Sequence, residues 1–433
     1  MTRHAPSFRL NTAWTLAGNV VYAACQWGML VLLAKLGSPE RVGQLALALA
    51  ITAPVVQLAG LNLRAIQSTD ARREYPSGQV LALRLASLGI AALILATIAT
   101  ATGLPAEIAW VVAGVGLAKI VESISDVMYG ILQQRERMAP IARSLVLRGV
   151  IGLAGLAVGV LATGRVAWGA CGYAAAWVGI LFFHDLPSAT KALREEGGSR
   201  RDLVPHGPAS RVIGLAQLAA PLGIVMMLIA LHTAIPRYFL AHTAGEAAVG
   251  VFSALASLIL AGTLVVGALG ASASPRLARL HSAGDLTGFR RFLGRLLIGG
   301  AALGLAGILI AAVAGRPILT LVYTAEYASY GEDLVWIMAA GALAYVASFL
   351  GYGLTAARIL KQQVGLFAAV ALVSTLASAW LIPGHGVRGA AWAMLAGYSV
   401  QLLGSTWLCH TELERSRTSA CATDSSEARA PRA

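Results

Sequence analysis

VLALRLASLGIAALILATIATA, residues 80–101, carries a single charge, Arg84. As a helix it would be about 33 Å long, at about 1.5 Å per residue, and so would cross a hydrocarbon core of about 30 Å. Comparable runs recur at loop-sized intervals and predict spans near 13–35, 42–63, 80–101, 108–130, 144–163, 167–184, 212–235, 249–271, 296–314, 334–355, 364–382 and 389–408. The composition agrees: 57% of the 433 residues are hydrophobic and 12% charged, whereas soluble domains have roughly 25% charged. Mean hydropathy is +0.71. The expected fold is therefore all-α and integral to the membrane, with about twelve transmembrane helices.

A net charge of +13 would suit nucleic acid, but its distribution follows the positive-inside rule instead. Alternate loops collect the cations. Arg3 and Arg9, the group from Arg64 to Arg84, that from Arg135 to Arg148, that from Lys191 to Arg211, that from Arg276 to Arg295, Arg358 with Lys361, and that from Arg415 to Arg432 fall on one side. Lys35, Arg41, Arg165, Arg237, Arg316 and Arg388 fall on the other, and Lys119 lies within a span. The tally of 26 against 6 places both termini in the cytoplasm and excludes a nucleic-acid partner. Cys25, Cys171, Cys409 and Cys421 form no C-x-x-C pair, so neither a disulfide nor a metal site is expected. The first span is too long for a signal-peptide core and is expected to remain as an anchor.

The hydrophilic stretch from His184 to Arg211 divides the spans six from six. The expected organisation is an N-terminal six-helix lobe, 1–184, a cytoplasmic linker, 185–211, a C-terminal six-helix lobe, 212–408, and a disordered cytoplasmic tail, 409–433. Leu33-Ala34 with Val42-Gly43 recurs as Leu240-Ala241 with Val249-Gly250, an offset of 207 residues at which Arg72 also meets Arg279 and Arg84 meets Arg291. An even number of spans per repeat keeps equivalent helices parallel. Duplication thus predicts two lobes, related by an axis along the membrane normal, around a central cavity.

Charges inside a bilayer cost about 2.5–3.5 kcal/mol each on insertion scales and usually mark function. The fourth span holds several. Lys119, Glu122, Asp126, Tyr129 and Gln133 share one helical stripe, at about 100° per residue, and such a stripe cannot face lipid. A self-neutralising Lys119–Glu122 pair that fixes packing is the structural alternative. Further intramembrane polar groups are Asn19, Tyr22 and Gln26 on one face of the first span, then Arg84, Arg148, Gln217, His232 and Arg237. Snorkelling would explain Arg84 and Arg148, and helix bridging Asn19 and Gln26. Arg237 is one of six basic residues on the outer side; a guanidinium there suits an anionic head group or an interfacial anchor beside Tyr238.

Several stretches resemble the polysaccharide (Wzx-like) flippase branch of the multidrug/oligosaccharidyl-lipid/polysaccharide (MOP) exporter superfamily. The carriers are Leu36 through Gly43, Leu63-Arg64 with Thr69-Asp70, Lys119 through Gly130 with Gln133 through Met138, Pro236 through Phe239 with Gly250 through Phe252, and Leu321 through Ala328. The resemblance implies alternating access that moves a polyprenyl-pyrophosphate-linked oligosaccharide across the bacterial cytoplasmic membrane, with cavity cations at the pyrophosphate and an ion gradient as the drive. Carried over, Lys119, Arg84, Arg148 and Arg237, with Asn19 and Gln26, are the candidate substrate contacts. Glu122 and Asp126 are the candidates for H⁺ or Na⁺ coupling. No catalytic residue, metal or other cofactor is expected; glycan polymerase and glycosyltransferases of the same pathway are the expected protein partners.

Three alternatives stay open. A multidrug or cation antiporter of the same fold would favour an acidic cavity, against which Lys119 argues. A flippase for lipid II or a teichoic-acid precursor would use the same chemistry. A membrane glycan polymerase or ligase would need a large outer loop, and the outer loops predicted here are short.

Overall fold

A computed structural model describes residues 8–70, 74–195, 200–357, 359 and 361–427, with the backbone path alone for 8, 9, 200, 201, 361 and 412–427. Arg3, Arg72, Arg73, Ser199, Arg358, Arg429 and Arg432 lie outside the described residues, and with Arg72 goes its correspondence to Arg279. Among the described residues every regular element is helical. Eleven helical runs are long and apolar enough to cross a membrane. Their outer surface is apolar as lipid contact requires, with Leu93, Phe183, Val313 and Trp380 strongly exposed.

The first compact unit is Met1–Ala254. It contains α1 (Phe8–Leu36), α2 (Pro39–Gly60), α3 (Leu63–Thr69), α4 (Ser77–Ala101), α5 (Ala106–Gln134), α6 (Met138–Thr163) and α7 (Val166–Ile180). A π-helical turn, Leu181–Asp185, leads into α8 (Leu186–Arg194), followed by α9 (Ala209–Thr243) and the start of α10 (Gly245–Ser257). The sequence drew a boundary at 185–211, but α9 packs on α2 and α4 within this unit. Part of the expected linker is ordered as well: Ala189, Ala192 and Leu193 of α8 are buried, Ala192 against Tyr129 and Leu132 of α5.

The second unit, Leu255–Ala433, holds α11 (Ile259–Ser282), α12 (Leu286–Val322), α13 (Gly331–Ala356) and α14 (Lys361–Glu427). This last run is two helices. Gly386 breaks it with φ 54° and ψ −126°, three residues after Pro383, a left-handed conformation that glycine adopts without steric cost. Eleven runs thus contain twelve crossings, as the sequence predicts. Past 408, where a disordered tail is expected, the helix runs on to Glu427; no glycine or proline stands between Gly404 and Pro431 to stop it.

The repeated Val-Gly motif meets itself. A Cβ on Gly43 would fall 1.9 Å from the Glu246 carbonyl oxygen, and one on Gly250 would fall 1.8 Å from that of Pro39. Pro39 and Glu246 are 207 residues apart, as are Gly43 and Gly250. Such an exchange, residue i on j and j's equivalent on i's, is what a two-fold axis between like segments produces. Only glycine lets the α2 and α10 backbones approach so closely.

Local strain positions the polar stripe. Leu61 and Asn62 both sit in the left-handed region, at φ 49° and 48°, a conformation uncommon for a residue such as leucine. They end α2 and redirect the chain into α3, which lies along α5 and brings Arg64 to it.

Candidate functional site in the first unit

Two rows of polar side chains line α5. On the first, Lys119 Nζ donates to Glu122 Oε2 at 2.8 Å. Glu122 Oε1 also accepts from the Tyr22 hydroxyl at 2.7 Å. Gln26 Nε2 donates to the Tyr22 hydroxyl at 2.8 Å and to that of Tyr173 at 3.2 Å. The Lys119 ammonium stands 5.3 Å above the Trp177 ring, within cation–π range. Further along the same row, Arg64 Nη1 reaches Asp126 Oδ1 at 3.4 Å and Nε donates to Gln133 Oε1 at 3.1 Å. Its guanidinium carbon lies 5.2 Å from the Tyr129 ring centre.

The second row is buried behind the first. Arg84 Nη1 donates to Ser123 Oγ at 2.9 Å. Arg148 donates to Ser125 Oγ and, from Nη2, to Asp185 Oδ2 at 2.9 Å, while Trp177 and Tyr129 flank it at 5.1 and 5.7 Å. His184 contacts the other Asp185 oxygen at 3.0 Å. The π-turn, one residue wider than an α-turn, lies directly at Asp185.

Accessibility separates the rows. Side-chain exposure is 34% for Arg64, 36% for Asp126, 20% for Lys119 and 26% for Glu122, but 1% for Arg148 and 0% for Asp185. Arg84 is 2% exposed overall. Neither Arg84 nor Arg148 snorkels, therefore; both are tied to α5 serines. Four cations, Arg64, Arg84, Lys119 and Arg148, surround three carboxylates, Glu122, Asp126 and Asp185, so one positive charge is in excess.

The remaining candidates lie elsewhere or act locally. Asn19 Nδ2 donates to the Thr15 carbonyl of its own helix at 2.7 Å. Arg237 is held between α9 and α10, donating to Ser253 Oγ at 2.9 Å and to the Thr233 carbonyl at 2.5 Å, above the Phe252 ring. Sequence reasoning missed Arg64, Asp185, Tyr173 and Trp177 as members of the cluster. In sequence Arg64 reads as one of the loop cations. Asp185 offered one signal, as the only carboxylate between Leu181 and Arg194.

Residues 8–281 match a family described as polysaccharide biosynthesis protein. The chain belongs to that family. It is 22% identical over 418 residues to the capsular polysaccharide biosynthesis protein CapF of Staphylococcus aureus, covering 91% of this chain and 97% of CapF. Among solved structures, the fold is similar to the lipid II flippase MurJ in an inward closed conformation. That comparison has TM-score 0.70 at 12% identity and covers 93% of this chain and 90% of MurJ. It is also similar to a multidrug resistance MATE family transporter of the MOP superfamily in an inward-facing conformation, with TM-score 0.68 at 14% identity over 92% of this chain and 96% of the transporter. The expected polysaccharide family is thus borne out, and this multi-pass membrane protein has the fold of the MOP transporters.

Proposed function

We propose that this protein is a flippase that carries a polyprenyl-pyrophosphate-linked oligosaccharide from the cytoplasmic to the outer leaflet by alternating access. The observation that carries the reading is the half-exposed row Lys119, Glu122, Arg64 and Asp126 along a membrane-spanning helix, with positive charge in excess over the cluster. An intramembrane cation that is neither buried nor at an interface needs an anionic partner. Family membership and the CapF relative supply the polysaccharide context.

In this reading Lys119 and Arg64 receive the pyrophosphate, while Arg84 and Arg148 hold the helices that present them. Each accessible cation already has a carboxylate at hand, Glu122 or Asp126. Phosphate that takes the cation bares the carboxylate, and a bared carboxylate in an apolar setting favours a proton or a cation. Cargo entry and H⁺ or Na⁺ uptake are thereby linked. Arg237 is the candidate contact on the outer side.

Proteoliposomes loaded with fluorescently labelled lipid-linked oligosaccharide test this. The intact protein should move label between leaflets, Arg64→Ala should slow it at least about tenfold, the loss of one charge-assisted contact of about 1.5–3 kcal/mol, and Arg64→Lys should retain part of the rate. Transport of an organic cation with no movement of the labelled lipid would establish the antiporter instead.

A further inference from the structure

The cations of the α11–α12 hairpin are arranged differently from those of the first unit. Arg276 and Arg279 near the end of α11, and Arg290, Arg291 and Arg295 near the start of α12, are all exposed. Among the described residues none of the five has an ion pair, whereas Arg64, Arg137, Arg148, Arg165 and Arg388 each have a carboxylate. The only acidic residue from 273 to 298 is Asp285, and its Oδ1 is engaged by the Gly288 amide at 2.7 Å, capping α12. The hairpin therefore presents five unneutralised guanidinium groups.

Their height along the helices is set by the apolar surface beside them. Strongly exposed apolar side chains end with Leu269 on α11 and begin with Ile298 on α12. Arg276 is seven residues beyond the first limit and Arg295 three before the second, about 10 Å and 5 Å of helix. That is the depth of lipid phosphate beside a hydrocarbon core. Phe292 gathers them: the Arg276 guanidinium lies 4.6 Å from its ring centre, and Arg295 is one turn further along α12 on the same face. Leu277, Phe289 and Leu293 fill the core behind, leaving the arginines outward.

We propose that this hairpin is a binding site for anionic phospholipid of the inner leaflet, with Arg276, Arg291 and Arg295 as the phosphate contacts. The orientation it requires is that of the 26 to 6 charge bias, and the site is independent of what the protein transports. Clusters of four to eight basic residues at the cytoplasmic end of a span attract anionic lipid. Guanidinium groups add bidentate donation to a phosphate.

The test titrates the full-length protein in neutral detergent with phosphatidylglycerol or phosphatidylcholine and measures bound lipid by native mass spectrometry. Phosphatidylglycerol should be retained in preference to phosphatidylcholine. The triple variant R276Q/R291Q/R295Q should retain it at least about tenfold less well, and K191Q/R194Q, on the same side but outside the hairpin, should match the parent. Raising salt from about 0.05 M to about 0.5 M should weaken the parent's preference by screening, a measurement that stands even if the triple variant does not fold. Equal retention of the two lipids, a salt-independent preference, or an unchanged triple variant overturns the proposal; the first of these would leave the arginines for an acidic protein partner.

Discussion

Arg64 and Arg148 carry the same charge in the same unit and do opposite work because of burial. A buried carboxylate stripped of its guanidinium is left as an uncompensated charge, which costs about 3–5 kcal/mol. Arg148→Met should accordingly lower the thermal unfolding midpoint sharply, and the pair Arg148→Met with Asp185→Leu should recover most of it. If the single variant unfolds like the parent, the Arg148–Asp185 pair is not structural. Lys119 and Glu122 make the opposite forecast. Exchanging them, Lys119→Glu with Glu122→Lys, keeps the pair and its net charge but moves the cation one turn along α5. The double variant should fold and insert normally yet flip little lipid-linked oligosaccharide in proteoliposomes; near-normal flipping would make the pair a packing device.

At the level of helices, backbone contact is the decisive feature. A methyl group on Gly43 or Gly250 would collide with a carbonyl oxygen, which has no rotamer through which to escape, and overpacking of this kind costs about 1–3 kcal/mol. Gly267, within α11, has nothing within 4 Å of its would-be Cβ. Gly43→Ala and Gly250→Ala should therefore each destabilise the protein, while Gly267→Ala should be neutral or stabilise by up to about 1 kcal/mol, since alanine is the better helix former. Thermal unfolding in one detergent compares the three. Equal midpoints would mean that the α2–α10 crossing tolerates separation.

For the whole molecule, orientation is the property on which the proposed direction of transport depends. The charge bias predicts that the His184–Arg211 segment and the C-terminal end lie inside and the Leu36–Val42 turn outside. On a background without the four native cysteines, Ser199→Cys should resist an impermeant thiol reagent in intact cells and react after lysis, and Ser38→Cys should react in intact cells. Labelling of Ser199→Cys before lysis would reverse the topology.

The number of crossings was legible in the sequence because the bilayer imposes a length and a polarity on each segment separately, and residues 80–101 meet both conditions without reference to any other helix. The stripe on α5 was legible for a similar reason: Lys119, Glu122 and Asp126 belong to one helix, whose period alone places them on one face. The partners were not. Arg64 reaches Asp126 because Leu61 and Asn62 turn the chain in a left-handed conformation, which falls on these two residues and not on the adjacent Gly60. Arg148 meets Asp185 because a π-turn lies directly at that residue at the end of a span, and Arg84 is closed off by the packing of α5 and α2 on its own helix. The repeat at an offset of 207 could be counted along the chain, but the contact of Gly43 with Glu246 and of Gly250 with Pro39 exists only in three dimensions. Which cations remain exposed was decided by packing between helices, an effect of neighbours that hydropathy along one helix does not contain.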